Sequence, residues 1–266
     1  MKGLIRKELD IYTSAQLKKL VLAEFLQHLI LQSLYRQNAF QFITFTGGTA
    51  LRLLYHARRF SEDLDFSLTR KKNVRLKTIA SKVQNDLKLQ GINSEVYLQN
   101  EKVVFKSDFR FPGLLQEFNL SPLKDQKLTI KLEVDKNPPQ GYKKEILLVS
   151  SPLSYSLSVF DLSSLFATKL HAIFYRKYTK GRDYYDLIWY LGKQIKPNFT
   201  LLNNAIKQTH PHEKKITGAN FKEKLIQHLE TINFKTIKAD VEKLIMNREE
   251  LDFLNLNAIN SLLRAY

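Results

Sequence analysis

Between residues 14 and 35 the apolar positions Leu17, Leu20, Val21, Phe25, Leu29 and Ile30 recur every three or four residues. That spacing predicts a helix burying one side, with Ser14 at its capping position. The period then changes. Residues 42–46 are short and β-branched and run straight into Gly47-Gly48, and residues 49–55 predict a short helix. Leu64-Asp65-Phe66-Ser67-Leu68 alternates as a strand does. A polar helix is expected over 74–90, with strands near 94–98 and 103–107. The clearest strand covers 128–134, where Leu128, Ile130, Leu132 and Val134 share one face and Thr129, Lys131 and Glu133 the other. Asn137-Pro138-Pro139-Gln140-Gly141 breaks the chain before a further strand at 145–149. After Ser158 the pattern becomes helical, with helices expected over 161–176, 182–191, 199–209, 221–231, 236–246 and 256–263. Strands first and helices later predict an α+β fold, a domain over 1–158 with a mixed sheet and a helical domain over 159–266.

Composition narrows the chemistry. The 266 residues are 44% hydrophobic, enough for a proper core. Without a single cysteine, disulfides, thiolate catalysis and Cys-based zinc or iron–sulfur sites are excluded. The charged opening Lys2, Arg6, Lys7, Glu8 and Asp10 does not fit a secretion signal, and no uncharged apolar run could span a bilayer. A soluble, cytoplasmic chain with no membrane partner is expected. Lys and Arg outnumber Asp and Glu 42 to 26, a net charge of +16. Such an excess favours polyanionic partners, nucleic acid or nucleotide, through counterion release.

Two constellations carry candidate chemistry. In the first, the strand ending at Thr46 meets Gly47-Gly48 and then a helix start at Thr49. Glycines let backbone approach a ligand, and the free N–H groups of the helix favour phosphate, although Gly-Gly before a helix is by itself more often only a tight turn. Asp63 and Asp65 follow one short helix later. At i and i+2 of a strand they point to one side, Cα atoms roughly 6–7 Å apart. Carboxylates so spaced suit two divalent cations about 3.5–4 Å apart, the arrangement of in-line nucleotidyl displacement, and Mg²⁺ is the natural guest. The alternative is a charged edge strand that resists aggregation. Glu133 is a candidate third carboxylate, Lys131 beside it a phosphate contact, and Asp135 shares their parity at the strand end. An ordinary polar strand face would account for all three.

In the second, Lys169 falls inside the apolar stripe of Leu162, Leu165, Phe166, Leu170 and Ile173. A lysine there must snorkel outward or meet an anion. His171 points to the opposite side, where exposure and no catalytic role are expected. Tyr175, Arg176, Lys177, Tyr178, Lys180, Arg182, Tyr184 and Tyr185 surround Gly181, offering charge and surfaces on which bases could stack. Asp183 and Asp186 share one helix face, where Asp183 could favour the helix start and Asp186 pair with a nearby base, while Tyr184, Leu187, Ile188 and Leu191 form the buried face.

These segments together resemble the AbiEii/AbiGii toxin family of the nucleotidyltransferase superfamily. They are Thr46-Gly47-Gly48-Thr49-Ala50-Leu51-Arg52, Arg59-Phe60-Ser61-Glu62-Asp63-Leu64-Asp65-Phe66, Lys131-Leu132-Glu133-Val134, Lys169-Leu170-His171-Ala172 and Lys180-Gly181-Arg182-Asp183-Tyr184-Tyr185-Asp186. They fall between residues 42 and 191, and nothing in 192–266 matches. The resemblance implies a polymerase-β-like core with a helical C-terminal domain. It also implies Mg²⁺-dependent transfer of a nucleoside monophosphate from an NTP, with tRNA 3′ ends the acceptor of some members. Carried over, Gly48 and Thr49 cradle the triphosphate, Asp63 and Asp65 hold the metals with Glu133 or Asp135 as third carboxylate, Lys169 contacts phosphate, and Asp183 is an essential acid or a base toward the acceptor. Gly47, Arg52, Ser61, Lys131, Arg182 and Asp186 join the nucleotide-binding set. Many members have Gly-Ser where this chain has Gly48-Thr49, and threonine keeps the hydroxyl. A separately encoded antitoxin is the implied partner of a toxin in a toxin–antitoxin or abortive-infection system. Two other readings stay open: transfer to a small molecule or a protein hydroxyl, and a non-catalytic basic RNA-binding protein.

Overall fold

A computed structural model of the chain describes residues 1–70, 74–123 and 125–266. They divide into two compact units. The first comprises Met1–Tyr55, Phe60–Pro138 and Ile146–Val159; the second comprises His56–Arg59, Pro139–Glu145 and Phe160–Tyr266.

In chain order the helices and strands running to the end of the sheet are α1 (Lys2–Asp10), α2 (Ala15–Arg36), β1 (Ile43–Thr46), α3 (Gly47–Tyr55), β2 (Asp63–Leu68), α4 (Leu76–Leu89), β3 (Glu95–Asn100), β4 (Val104–Phe111), α5 (Leu114–Glu117), β5 (Leu128–Asp135), β6 (Lys144–Val149) and β7 (Tyr155–Phe160). The seven strands form one sheet in the order β3-β4-β5-β2-β1-β7-β6. β1 runs antiparallel to β2 and parallel to β7, β2 parallel to β5, and β4 antiparallel to both β3 and β5. The expected mixed sheet of an α+β fold is therefore present. Its register sorts the faces. Leu64 lies opposite Leu132 and Phe66 opposite Val134, with Phe105 continuing the row. All five are buried, so one face of the sheet is core and the alternate residues of β2 and β5 face the other way.

Three of these elements escaped the sequence pattern: α1, the single turn of α5 and β7. α1 was not expected, because its buried side amounts to Ile5 and Leu9, one helical repeat embedded among charges. β7 covers residues read as the approach to the helical half. Its serines at 156 and 158 interrupt the apolar signal, yet Ser158 is buried and bonded to Thr44. The expected 236–246 helix is shorter, because Ile245 is extended beyond a turn at Glu242–Leu244.

Inside this unit His28 of α2 is buried and shares a 2.7 Å hydrogen bond between Nδ1 and the Tyr155 hydroxyl. Burial, seconded by the Arg52 charge, pushes its pKa from 6.5 down to about 4. Folding therefore favours the neutral ring. The stability this contributes is whole above the unfolded-state value and is lost as pH falls from about 6.5 through about 4. The loss amounts to about 3 kcal/mol. Thermal melts across that range should show the decline, and His28→Gln should flatten it.

The second unit holds α6 (Leu162–Tyr175), α7 (Gly181–Gly192), α8 (Phe199–Thr209), α9 (Phe221–Glu230), α10 (Phe234–Val241) and α11 (Leu256–Ala265). The starts of α6, α8, α10 and α11 are fixed by side-chain caps from Asp161, Asn198, Asn233 and Asn255, each accepting a main-chain N–H of the first turn. Phe166 stacks on Tyr190 at 4.4 Å between centroids, and Phe221 meets Phe166 edge-on. Among the described residues no helix is long and apolar enough to cross a membrane.

Candidate active site

Strand β1 passes into α3 with no intervening loop, so the chain must turn sharply at Gly47. Its φ of +79° lies in the left-handed region that a side chain disfavours. Space forbids a side chain as well. A Cβ there would lie 2.2 Å from Asp65 Oδ2 and 2.9 Å from Asp65 Cβ and Cγ. The Thr49 hydroxyl is donated to the Asp63 main-chain carbonyl. The glycine turn is thus seated on β2 at both aspartates, by contact at Asp65 and by a hydrogen bond at Asp63. Thr49 is fully buried, and its hydroxyl ties this joint instead of capping the helix, which begins two residues earlier than its position in the pattern suggested.

Asp63 and Asp65 are alternate residues of β2 and share its polar face, both half-buried. Across the parallel ladder Lys131 stands opposite Asp63 and Glu133 opposite Asp65. On β4, Asp108 and Lys106 extend the same two rows. Thr46, directly opposite Asp65 on β1, has a buried Oγ1 with no hydrogen-bond partner among the described residues. Asp135 lies one repeat beyond Glu133 and accepts the Asn137 N–H at 2.8 Å. It caps the turn after β5.

Among the described residues no three His, Cys, Asp or Glu side chains converge into a group that could hold a metal unaided. An aspartate pair suits an ion that keeps waters and brings phosphate ligands with it, which is how Mg²⁺ is usually held. Asp65 closes over Gly47 on one side and faces the buried Thr46 hydroxyl across the β1–β2 ladder on the other. Gly47→Ala should therefore impair the site without abolishing the fold. We expect nucleotide affinity, read by equilibrium binding of a labelled NTP, to fall about tenfold or more as the added methyl displaces Asp65.

Two further members of the predicted set meet partners in this unit. Arg52 grips Glu24 with Nε at 2.6 Å and Nη2 at 3.2 Å, and its guanidinium covers the Phe60 ring at 4.2 Å. Ser61 is buried, and its carbonyl accepts from Gln27 Nε2 at 2.8 Å, as Glu62's does at 3.1 Å. Gln27 thus anchors the segment entering β2. A glutamine on the largely apolar buried side of α2 was the available signal for it.

The second constellation builds a charge network within the helical unit. Arg59 is buried and clasps Asp186 through Nε–Oδ1 and Nη2–Oδ2, both 2.6 Å. Lys169 Nζ lies 2.8 Å from Asp183 Oδ1 and 2.8 Å from Asp186 Oδ2. Arg176 donates to Asp183 Oδ2. Three cations face two carboxylates. Burial works against charge on Asp186, but Arg59 and then Lys169 outweigh it and hold its carboxyl below the usual range. For Lys169 burial is likewise outweighed, by Asp183 and then Asp186, so its ammonium stays protonated. The anion that this core-facing lysine meets is thus supplied by α7 itself.

The glycine turn at 181 serves packing: a Cβ on Gly181 would lie 2.2 Å from the Ile237 carbonyl of α10, and its N–H reaches Asp240 Oδ2 at 2.7 Å. Arg182 is half-buried beside it. The tyrosines expected as stacking surfaces divide. Tyr184 is buried with its hydroxyl on His228, Tyr185 bonds Glu250, and Tyr175 lies against His210, whereas Tyr178 is 68% exposed. His171 is half-buried, not exposed: it bonds Thr209 at 2.9 Å, and burial pushes its pKa down to about 4.

The family model for the nucleotidyl transferase AbiEii toxin of type IV toxin–antitoxin systems matches residues 29–255. JHP933 from Helicobacter pylori is similar in structure, with a TM-score of 0.52, 18% identity and coverage of 92% of each chain. A candidate nucleotidyltransferase from H. pylori gives a TM-score of 0.55 at 20% identity, covering 96% of this chain and 97% of that one. At such identities the likeness is one of fold. No curated protein matches the chain. With the family match running from α2 to beyond α10, through the glycine turn, the aspartate pair and the buried network, this chain belongs to the AbiEii nucleotidyl transferase toxins of type IV toxin–antitoxin systems.

Proposed function

We propose that this toxin transfers a nucleoside monophosphate from an NTP to RNA, at the 3′ end of a tRNA, in the cytoplasm, and that a separately encoded antitoxin restrains it. The observation that carries the reading is the seating of the Gly47 turn on Asp65, which joins a phosphate-type turn to a metal-type carboxylate pair. In this reading the main-chain N–H groups at Gly47, Gly48 and Thr49 receive the triphosphate at the start of α3. Asp63 and Asp65 hold Mg²⁺, and Glu133 faces it from β5 with Lys131 as a phosphate contact. Bound with the NTP, Mg²⁺ supplies charge neutralisation to the phosphates and to the attacking and leaving oxygens. Arg52 and Ser61 shape the walls through their ties to α2. Within the helical unit, the family resemblance assigns Lys169 to phosphate, Asp183 to the part of an essential acid or a base, and Arg182 and Asp186 to the nucleotide-binding set.

An RNA acceptor is supported by the net charge of +16, which a small neutral acceptor would not require. Purified protein incubated with Mg²⁺, each of the four α-labelled NTPs and total tRNA should label the RNA with at least one nucleotide. Absence of label on RNA with all four would overturn the reading, and label on a small molecule or a polypeptide would redirect it to that acceptor.

A further inference from the structure

The helical unit contains a cavity of about 640 Å³ formed by α8 and the loop that follows it, at residues 210–218. No motif falls on it, and none of the roles above uses it. Its volume is that of a small-ligand site. Its walls are apolar at Phe199, Ile206 and Ile216 and basic at Lys207 and Lys215.

The walls are fixed in place. Asn203 donates to the carbonyls of Phe199 and Ile216, both at 2.7 Å, and accepts the Ile216 N–H at 2.8 Å, so one side chain staples the loop to α8. Asn204 donates its Nδ2 to the Gln140 carbonyl at 2.8 Å. Among the described residues neither Lys207 nor Lys215 has an acidic partner, and Glu213 is paired with Lys224 at 3.4 Å. Charge accumulates here beyond the chain average. Between residues 193 and 224 seven lysines stand against two glutamates, a net of +5. In the stretch from 235 to 266 the basic and acidic residues balance.

A cleft with apolar walls at Phe199, Ile206 and Ile216 and two ammonium groups that lack acidic partners among the described residues is complementary to an unstacked nucleotide whose strand carries phosphates on either side. We propose that the cavity between α8 and the 210–218 loop binds a nucleotide of single-stranded RNA. The base lies against Phe199 and Ile206, and Lys207 and Lys215 hold the flanking phosphates. The inference rests on RNA as the acceptor. It adds the place where the helical unit grips that acceptor, in the segment for which the sequence offered no role.

The test is direct binding of end-labelled tRNA to the full chain, by fluorescence anisotropy between about 50 and 200 mM salt. Lys207→Gln with Lys215→Gln should raise the Kd about tenfold and lower the slope of log K against log salt by about 2, one for each phosphate no longer neutralised. Gly218→Phe provides an uncharged counterpart. A Cβ at Gly218 has only Phe199 within 4 Å, at 3.8 Å, so the position accepts a ring that fills the cleft. It should weaken RNA binding with the salt slope unchanged. NTP affinity should not move in either variant. RNA binding and salt slope equal to wild type in both variants would overturn the inference, as would a selective loss of free NTP binding. If the wild-type chain labels and binds RNA while the variants match it, the cavity alone is refuted; if the wild type neither labels nor binds RNA, the acceptor assignment falls first.

Discussion

Asp65→Asn is expected to lower nucleotidyl transfer at least about a thousandfold while leaving the melting temperature within a degree or two of wild type. Asparagine keeps the atoms that pack over Gly47, so the turn stays seated, but it removes the charge that an ion bound with phosphates requires. Asp63→Asn should behave alike, since its main-chain carbonyl, not its carboxylate, accepts the Thr49 hydroxyl. Alanine at 65 is the poorer test, because it would also empty the space above the glycine. Single-turnover label transfer at saturating NTP, with a thermal melt of the same preparations, separates chemistry from folding. Retention of more than a tenth of the wild-type rate by either variant would remove the carboxylate pair from the mechanism.

Asp186→Ala is expected to act through stability first. Truncation leaves Arg59 buried without its bidentate partner and takes one of two carboxylates from Lys169. Breaking a buried pair from one side costs about 3–5 kcal/mol, which for a unit of this size lowers the melting temperature on the order of 10 °C. Replacing both partners, Arg59→Met with Asp186→Leu, should recover most of that loss, since no buried charge then lacks compensation. The two melts decide between a charge effect and a packing effect: equal destabilisation of single and double variants would show that shape, not charge, governs the site. The dependence on pH follows from the depressed carboxyl of Asp186. Its contribution is complete above the ordinary carboxylate range and disappears as pH falls through the lower folded-state value.

How far the site could be read in advance differs residue by residue. Asp63 and Asp65 were legible as a pair because strand alternation alone sends i and i+2 to one side, and Leu64 and Phe66 identify the buried side. Glu133 was legible as a neighbour in kind but not in position; the register that sets it opposite Asp65 is a property of the β2–β5 pairing. Lys169 announced itself as a lysine in an apolar stripe. A phosphate and a carboxylate answer that need equally well on paper, and the carboxylates of Asp183 and Asp186 are what it meets. Arg59 opened one of the matching segments without a role of its own, because its partner lies 127 residues away. Tyr184 read both ways, as a stacking surface beside basic residues and as part of the buried face of its helix, and it is buried with its hydroxyl on His228.

By itself the chain determined what local periodicity and composition control: helices with broad apolar stripes, strands with clean alternation, the absence of thiol chemistry, the charge excess and the two carboxylates on one strand face. These follow from backbone geometry, which is the same in every fold. The tertiary structure decided which distant groups meet. It placed Gly47 under Asp65, left the Thr46 hydroxyl without a partner among the described residues, closed the network of Arg59, Lys169, Arg176, Asp183 and Asp186, and let Asn203 staple a loop into a cleft. Those meetings depend on strand order and helix packing, where a buried charge takes whichever opposite charge the fold brings within hydrogen-bond distance, and no local pattern encodes that distance.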